Sequence, residues 1–261
     1  MRALGRESVG PLTAEAVENA YRVFGGRRVG PRLNVCRCNV CFADDVASEV
    51  RLVQTPLRAI ATPDLAEYGN SAHGWHDEML YFLPRYLDLI AQGEVPRWIG
   101  VEYSLLRLMD VAWRDEWPAA ERDALEEFFT AWFTESLQRR DLLLGWDGEA
   151  PGFSTELRDM LSLVANAGGD VRPLLDVFDR ATGPVPDLHL AALVLDAAEA
   201  LPDGGLGWHT LNNKDAEAAI VAWLLRPDTA RRLEAAFFAA TSPAEAAALS
   251  AAEPVIRGAG V

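Results

Sequence analysis

Residues 118–140 read PAAERDALEEFFTAWFTESLQRR, and this stretch has the pattern of a long amphipathic helix. Pro118 suits the first turn of a helix, where its missing N–H costs no hydrogen bond. Apolar side chains then recur at steps of three and four and form one broad stripe: Leu125, Phe128, Phe129, Trp132 and Phe133. Acidic residues cluster early in the stretch, and Arg139 and Arg140 end it, which complements the helix dipole. The stretch therefore predicts a buried helix.

The same helical signals recur along the rest of the chain, whereas no segment alternates apolar and polar residues over more than a few positions. Residues 79–90 have the period of a core helix, which Pro84 is predicted to kink or restart. Residues 99–113 are also predicted to be helical. Residues 242–245 (SPAE) have the pattern of a capping box. These signals predict an all-α fold, either a multi-helix array or an orthogonal bundle.

The longest predicted loop, residues 25–42, is rich in glycine and contains the cysteines. The best candidate for a short strand pair lies within it, at residues 34–40. We expect one domain over residues 1–261, in which a small loop-rich cysteine module at residues 30–75 packs on a helical body at residues 76–257. A chain of 261 residues is long enough to bury a core without help from a disulfide or a metal.

The composition is that of an acidic globular protein. Half of the residues are hydrophobic, 24% are charged, and the formal net charge is −15. No run approaches the roughly 20 apolar residues of a membrane span, and the first residues lack the apolar block of a signal peptide. We therefore expect a cytoplasmic protein with no membrane partner. A negative field of this size favours a basic protein partner and disfavours nucleic acid.

One arginine-rich stretch runs against this overall charge. It has no acidic residue and contains five arginines: Arg22, Arg27, Arg28, Arg32 and Arg37. The stretch is either a solvated loop in a chain that prefers arginine to lysine, or a patch that binds phosphate or acidic groups. Nucleic-acid binding through this stretch is the third functional hypothesis, which the net charge disfavours.

Three thiols lie within the six residues Cys36-Arg-Cys38-Asn-Val-Cys41, too close together for a disulfide framework. Thiolates in such a loop can face one cation, and His73 and His76, further along the chain, can complete a structural zinc site. The spacing of the two histidines is shorter than the usual three to five residues. The alternatives are buried structural cysteines with surface histidines or, more weakly because the βαβ context is missing, a redox pair.

His76-Asp77 is also the pair after which the HD superfamily of helical, metal-dependent phosphohydrolases is named. That pattern adds an earlier His and a later Asp, here His73 and Asp110, but His73 lies too close to the pair. The alternative is a first helical turn in which Asp77 and Glu78 favour the dipole. A metal-dependent hydrolase that uses His73, His76 and Asp77 is the second functional hypothesis.

The leading hypothesis is a non-enzymatic protein-interaction module, of the adaptor or immunity type. The sequence has no Walker loop, no nucleophile elbow, no HExxH pair and no dinucleotide fingerprint. It has eight tryptophans, of which three lie in predicted loops beside glycines: Trp75, Trp146 and Trp208. Tryptophans in loops often anchor interfaces, because the ring is apolar and its N–H is polar.

Several phrases are similar to a family of bacterial proteins to which no activity is assigned. They are Cys38-x-x-Cys41, LVQTPLR at 52–58, YFLPR at 81–85, LDLI at 87–90, WLLRP at 223–227 and RLEAAFF at 232–238. The resemblance spans most of the chain and implies that the cysteine pair and the FLPR phrase belong to one shared core. It transfers no catalytic residue. In the family, His often stands where Tyr81 stands here, and Cys36 is an extra cysteine. If that His is a metal ligand in the family, its absence here weakens the zinc hypothesis.

Two arginines in these phrases follow turns whose direction a proline fixes. Arg58 follows Pro56, and Arg85 follows Pro84. Such arginines can donate to the carbonyl groups at the end of a neighbouring helix or to a buried carboxylate. We predict that Arg58 and Arg85 are structural clamps that hold the cysteine module on the helical body.

Overall fold

The computed structural model describes residues 9–38, 46–71, 76–97, 99–144 and 154–259. Within these ranges lie twelve α-helices: α1 Pro11–Phe24, α2 Val46–Gln54, α3 Thr62–Asn70, α4 His76–Ala91, α5 Trp113–Glu116, α6 Ala119–Ser136, α7 Leu157–Asn166, α8 Arg172–Arg180, α9 Pro184–Asp196, α10 Lys214–Leu224, α11 Pro227–Ala239 and α12 Pro243–Ala259. Short 3-10 turns occur at Leu57–Ala59, Val101–Tyr103, Leu106–Val111, Arg140–Leu142 and Leu201–Asp203. The strands in these ranges are β1 Leu143–Leu144 and β2 Ser154–Thr155, which pair antiparallel. The predicted all-α fold is confirmed.

The chain divides into two compact units, Met1–Trp132 and Phe133–Val261, with the boundary inside α6. In the first unit α1 packs against α4, whose periodic apolar side chains are buried as expected. In the second unit α9 packs against α11 and α12, and nearly every apolar side chain of α9 is buried. The single domain with a cysteine module on a helical body stays a prediction.

Local sequence signals account for how the helices of the second unit begin. The Asn213 side chain caps α10 by accepting a hydrogen bond from the N–H of Ala216 at 3.1 Å. At α12, Ser242 Oγ accepts from the N–H of Glu245 at 3.2 Å. The Glu245 carboxylate, however, accepts from the N–H and hydroxyl of Thr241 at 3.1 and 2.9 Å. The expected capping box is thus closed one residue earlier in the chain than the pattern implies.

The first unit departs from the sequence predictions in three places. Helix α4 runs on through Pro84, so the predicted restart there is wrong. Residues 99–113 form 3-10 turns rather than one helix, because Gly100 (φ +139°) and Ala112 (φ +42°) leave the right-handed helical region. No strand forms in residues 34–38, while residues 39 and 40 of the predicted strand pair lie outside the described residues; the strand pair that the described ranges contain is β1–β2. No helix in the described ranges is long and apolar enough to cross a membrane.

Candidate functional site

The segment before and at the first two cysteines, residues 33–37, is irregular and is held by side chains rather than by a partner strand. Its N–H groups donate as follows: Leu33 to Glu49 Oε1 at 2.5 Å, Asn34 to Glu78 Oε1 at 2.9 Å, and Cys36 to Ser71 Oγ at 2.9 Å. These acceptors come from α2, from α4 and from the residue that ends α3. Three backbone donors of this segment are therefore satisfied without a sheet.

The pKa values of two carboxylates beside this segment are shifted in opposite directions. Burial acts to raise the pKa of Glu49, but hydrogen bonds from Arg37, at 2.7 Å, and from the N–H of Leu33 outweigh it and hold the pKa below its ordinary value. Burial raises the pKa of Glu78, although bonds from Asn34 and Tyr68 oppose it. Glu49 is thus an ionised anchor with its own counterion.

The predicted zinc ligands are only partly within the described residues. Cys36 is half-buried and Cys38 is exposed. Outside the described residues lie Cys41, His73, Trp75 and Trp146. His76 and Asp77 begin α4, and Asp110 is exposed on the turn Leu106–Val111. Among the described residues, no group of three or more His, Cys, Asp or Glu side chains is arranged to hold a metal ion. The zinc site and the hydrolase site remain predictions.

Arg85, one of the two predicted clamps, has partners of the expected kind. Its Nε donates to the carbonyl oxygen of Ile60 at 2.9 Å, and Ile60 ends the turn Leu57–Ala59. Its Nη1 donates to Asp88 at 2.6 Å, and Asp88 also accepts from the hydroxyl of Tyr21 at 3.0 Å. Arg85 thereby joins α4 to the turn that follows α2. Its role as a clamp for the cysteine module stays a prediction.

Arg58, the other predicted clamp, lies at the surface. Its guanidinium makes two hydrogen bonds to Glu18 of α1, at 2.6 and 2.7 Å. The same group lies over the ring of Tyr21, 3.7 Å from the ring centroid. Both side chains of the ion pair are more than half exposed, so water screens the attraction between them.

The arginine-rich stretch is partly neutralised by acids of the same unit. Arg27 pairs with Glu121 at 2.5 Å, and Arg37 pairs with the buried Glu49. Arg28 donates to backbone carbonyl groups of its own turn. These contacts favour a structural use of the stretch over a surface that binds phosphates.

Trp208, predicted to anchor an interface, is buried in the second unit with only 7% of its surface exposed. Its neighbouring glycines indicated a loop correctly, but a loop position does not fix the exposure of a side chain. In this conformation the ring is not available to a partner.

The exposed aromatic side chains of the second unit lie instead on α11. Phe238 is 78% exposed and Phe237 is 38% exposed, with ring centroids 5.3 Å apart. Ala235 and Ala239 are exposed on the same helix and share the face of Phe238 at helical spacing. We call this set the α11 ridge: Ala235, Phe237, Phe238 and Ala239.

A concavity lies on each side of the α11 ridge. One has a volume of about 530 Å³ and is bordered by the α8–α9 connection and by the start of α12, with alanines of α11 along it. The other has a volume of about 320 Å³ and lies between the two phenylalanines and the end of α12, at Pro254 and Arg257. The ridge and its flanks together form an apolar surface that nothing in the described chain covers.

The charged side chains that line the concavities are mainly acidic. The acids are Asp179, Asp187, Glu234, Glu245 and Glu253, and the two arginines are Arg232 and Arg257. Arg232 is fully engaged: it donates to Asp187 at 2.7 Å and to the carbonyl groups of Phe178 and Ala181 at the end of α8, both at 2.9 Å. It therefore serves as a cap for α8 rather than as a free cation.

Two acids of the larger concavity, Asp179 and Glu245, are set up to stay ionised. Burial opposes ionisation of Asp179, but hydrogen bonds from Arg226 and Trp223 lower its pKa. A hydrogen bond from Arg140, at 2.7 Å, lowers the pKa of Glu245 against a smaller effect of burial. Groups held in one charge state do not exchange protons near neutral pH. The surface can bury apolar groups, but these carboxylates are paired with arginines and are not arranged for acid–base catalysis.

Comparison with protein-family models, with curated proteins and with solved structures finds no match for this chain. The resemblance to a bacterial family therefore stays a prediction.

The sequence patterns did not single out the α11 ridge. A Phe-Phe pair in a helix does not decide exposure by itself, because the Phe128-Phe129 pair of α6 is buried whereas the pair of α11 is exposed. With Leu233 and Ala236 buried, the phenylalanines at 237 and 238 are turned outward.

Proposed function

We propose that this protein is a non-enzymatic interaction module that binds an amphipathic helix with basic residues through the α11 ridge. The observation that carries this proposal is the 78% exposure of Phe238 beside the half-exposed Phe237. Exposing a large aromatic surface to water costs free energy, and such surfaces commonly mark binding sites.

The shape of the surface supports a helical partner. A helix laid along the ridge can insert apolar side chains into the two concavities, as in helix-in-groove recognition. The acids of the lining already pair with arginines of this chain, so it is the net charge of −15 that favours lysines or arginines on the rim of such a helix. A second copy of this chain is a poorer occupant, because each copy carries a net charge of −15.

The test uses two synthetic amphipathic helices with the same leucine face, one with lysines and the other with glutamates on the polar face. We expect the full-length protein to bind the lysine peptide, measured by fluorescence anisotropy, and to bind the glutamate peptide at least about tenfold more weakly. The Phe237→Ala/Phe238→Ala variant should lose most of the affinity for the lysine peptide, since aromatic residues dominate binding energy at interfaces. Met109→Ala, at an exposed apolar residue of the first unit, is the matched control and should bind like the wild type.

Three results would count against the proposal. One is equal affinity for the two peptides. Another is unchanged binding by the double variant. The third is a concentration-dependent dimer in sedimentation that the double variant abolishes, because the ridge would then be a self-association surface.

The zinc site and the hydrolase remain separate proposals, supported by the cysteine and histidine pattern. Elemental analysis of the wild type and of Cys38→Ser/Cys41→Ser tests the first of these. Metal that survives this change but is lost in His76→Ala would favour the hydrolase. Neither outcome bears on peptide binding by the α11 ridge.

A further inference from the structure

The larger concavity beside the α11 ridge is lined by small side chains where it borders the second half of α11. These are alanines, at Ala235, Ala236 and Ala239 of the helix and at Ala240 after its end. The volume is about 530 Å³. A cavity of about 150 Å³ is enough for a benzene ring, and ligand pockets commonly measure roughly 300–1,000 Å³. The larger concavity therefore has room for a group bigger than one six-membered ring.

Hydrogen bonds between the walls fix the shape of this concavity. Arg232 of α11 donates to Asp187 of α9 and to two carbonyl groups at the end of α8, so one guanidinium joins three walls. On the remaining side Glu245, in the first turn of α12, accepts from the hydroxyl of Thr241 at 2.9 Å. A pocket whose walls are fixed in advance loses less conformational entropy when a partner binds.

The chemistry of the lining favours an uncharged group. Two of its leucines, one from α9 and one from α12, are 1% and 3% exposed. Each carboxylate of the lining is paired with an arginine of this chain: Asp187 with Arg232 at 2.7 Å, Asp179 with Arg226 at 2.6 Å, and Glu245 with Arg140 at 2.7 Å. A charged group would have to compete with one of these pairs, whereas an apolar group only displaces water from apolar surface.

We propose that the larger concavity binds a tryptophan side chain that anchors the helical partner. The anchor belongs to the helix that binds the α11 ridge, so the inference rests on the proposed function. An indole ring is uncharged, mostly apolar and larger than one six-membered ring, as the volume and the lining require. Tryptophan is also among the side chains that contribute most to binding when they fill a desolvated pocket.

The experiment uses the amphipathic peptide that has leucines on one face and lysines on the polar face. Its central leucine is replaced in turn by tryptophan, alanine and lysine, and fluorescence anisotropy with the full-length protein measures the affinities. We expect the tryptophan peptide to bind most tightly and alanine to raise the dissociation constant by at least about 30-fold, as at an interface hot spot. Lysine at this position should bind no more tightly than alanine, because the carboxylates of the lining are already paired.

Ala235→Leu tests whether the tryptophan lies in the larger concavity. Ala235 is exposed and lines this concavity, so the added side chain should occupy the space of the indole ring. Leucine is nearly as favourable as alanine in a helix, so the fold should be retained. We expect the tryptophan and alanine peptides to differ in affinity by less than about threefold in this variant. Ser250→Leu is the matched control: Ser250 is exposed and lines the smaller concavity, and the variant should keep the wild-type ratio.

Several outcomes would overturn the inference. Equal affinity for the tryptophan and alanine peptides would do so while leaving the α11 ridge as the binding surface. A tryptophan preference that persists in both Ala235→Leu and Ala239→Leu would place the anchor elsewhere. A lysine at the central position that binds as tightly as tryptophan would mean that the concavity takes a cation. If no peptide of the series binds, this inference and the proposed function both fail.

Discussion

Segment 33–37 of the first unit and strands β1–β2 of the second unit are held in place by different chemistry. Each is a short non-helical stretch that a buried polar side chain anchors to a helix. In the first unit the anchor is Glu49, ionised and paired with Arg37. In the second it is His189, whose Nε2 lies 2.9 Å from the carbonyl oxygen of Arg139 and whose Nδ1 lies 2.8 Å from Thr155 Oγ1.

The partners of His189 define a neutral ring. A carbonyl oxygen only accepts, so Nε2 carries the proton, and Nδ1 accepts from the hydroxyl of Thr155. Burial lowers the pKa of His189 to about 4, although the bond to Arg139 and the charge of Asp141 oppose this. A charged anchor thus needs a counterion, whereas a neutral anchor needs none but becomes sensitive to acid.

The largest expected effect is at the charged anchor. Glu49→Ala removes the acceptor of the Leu33 N–H and the carboxylate partner of Arg37 in a site where the Glu49 side chain is only 4% exposed. We expect the free energy of unfolding at pH 7 to fall by about 3–4 kcal/mol, as when one partner of a buried pair is removed. Urea denaturation measures this. Glu15→Ala, at an exposed residue of α1, is the control and should change it by less than about 0.5 kcal/mol. A loss at Glu49 no larger than the control would show that the segment does not depend on its charged anchor.

The neutral anchor, His189, should make the free energy of unfolding depend on pH. The unfolded chain takes up a proton at His189 near pH 6.5, but the folded chain does so only near pH 4. The contribution of His189 to the free energy of unfolding is therefore fully present above pH 6.5 and is lost as the pH falls toward 4. It amounts to about 3 kcal/mol.

Urea denaturation of wild type and His189→Gln between pH 7 and pH 4 measures this contribution as the difference between their two pH profiles. His209→Gln, at an exposed histidine, should retain the wild-type profile. Parallel profiles for the wild type and His189→Gln would rule out a neutral buried ring.

The smallest effects are expected at the two predicted clamps, and they should differ from each other. Arg85→Ala removes the bonds to Ile60 and Asp88 in a mostly buried position. We expect it to lower the free energy of unfolding by about 1.5 kcal/mol and to lower the melting temperature. Arg58→Ala breaks an exposed ion pair with Glu18 and should cost at most about 0.5 kcal/mol. Equal losses of stability in the two variants would mean that burial does not set the strength of these contacts. An unchanged stability of Arg85→Ala would rule out its role as a clamp.

Much of the fold follows from local patterns. The apolar stripe of residues 118–140 became α6, and the Asn213 cap became the start of α10. Residues 99–113 were predicted wrongly because their apolar spacing is helical while the backbone at Gly100 and Ala112 is left-handed. The spacing of apolar residues indicates which side chains are buried, but it does not indicate where the backbone leaves the helical conformation. The anchors Glu49 and His189 were not singled out, because their partners lie far away in the chain.

The sequence by itself determined that the protein is helical, acidic and able to bury its own core, because these properties depend on composition and on residues three or four positions apart. Only the tertiary structure decided that Trp208 is buried and that Phe238 is exposed. Exposure and hydrogen-bond satisfaction depend on which distant segments pack together, and no local pattern specifies that.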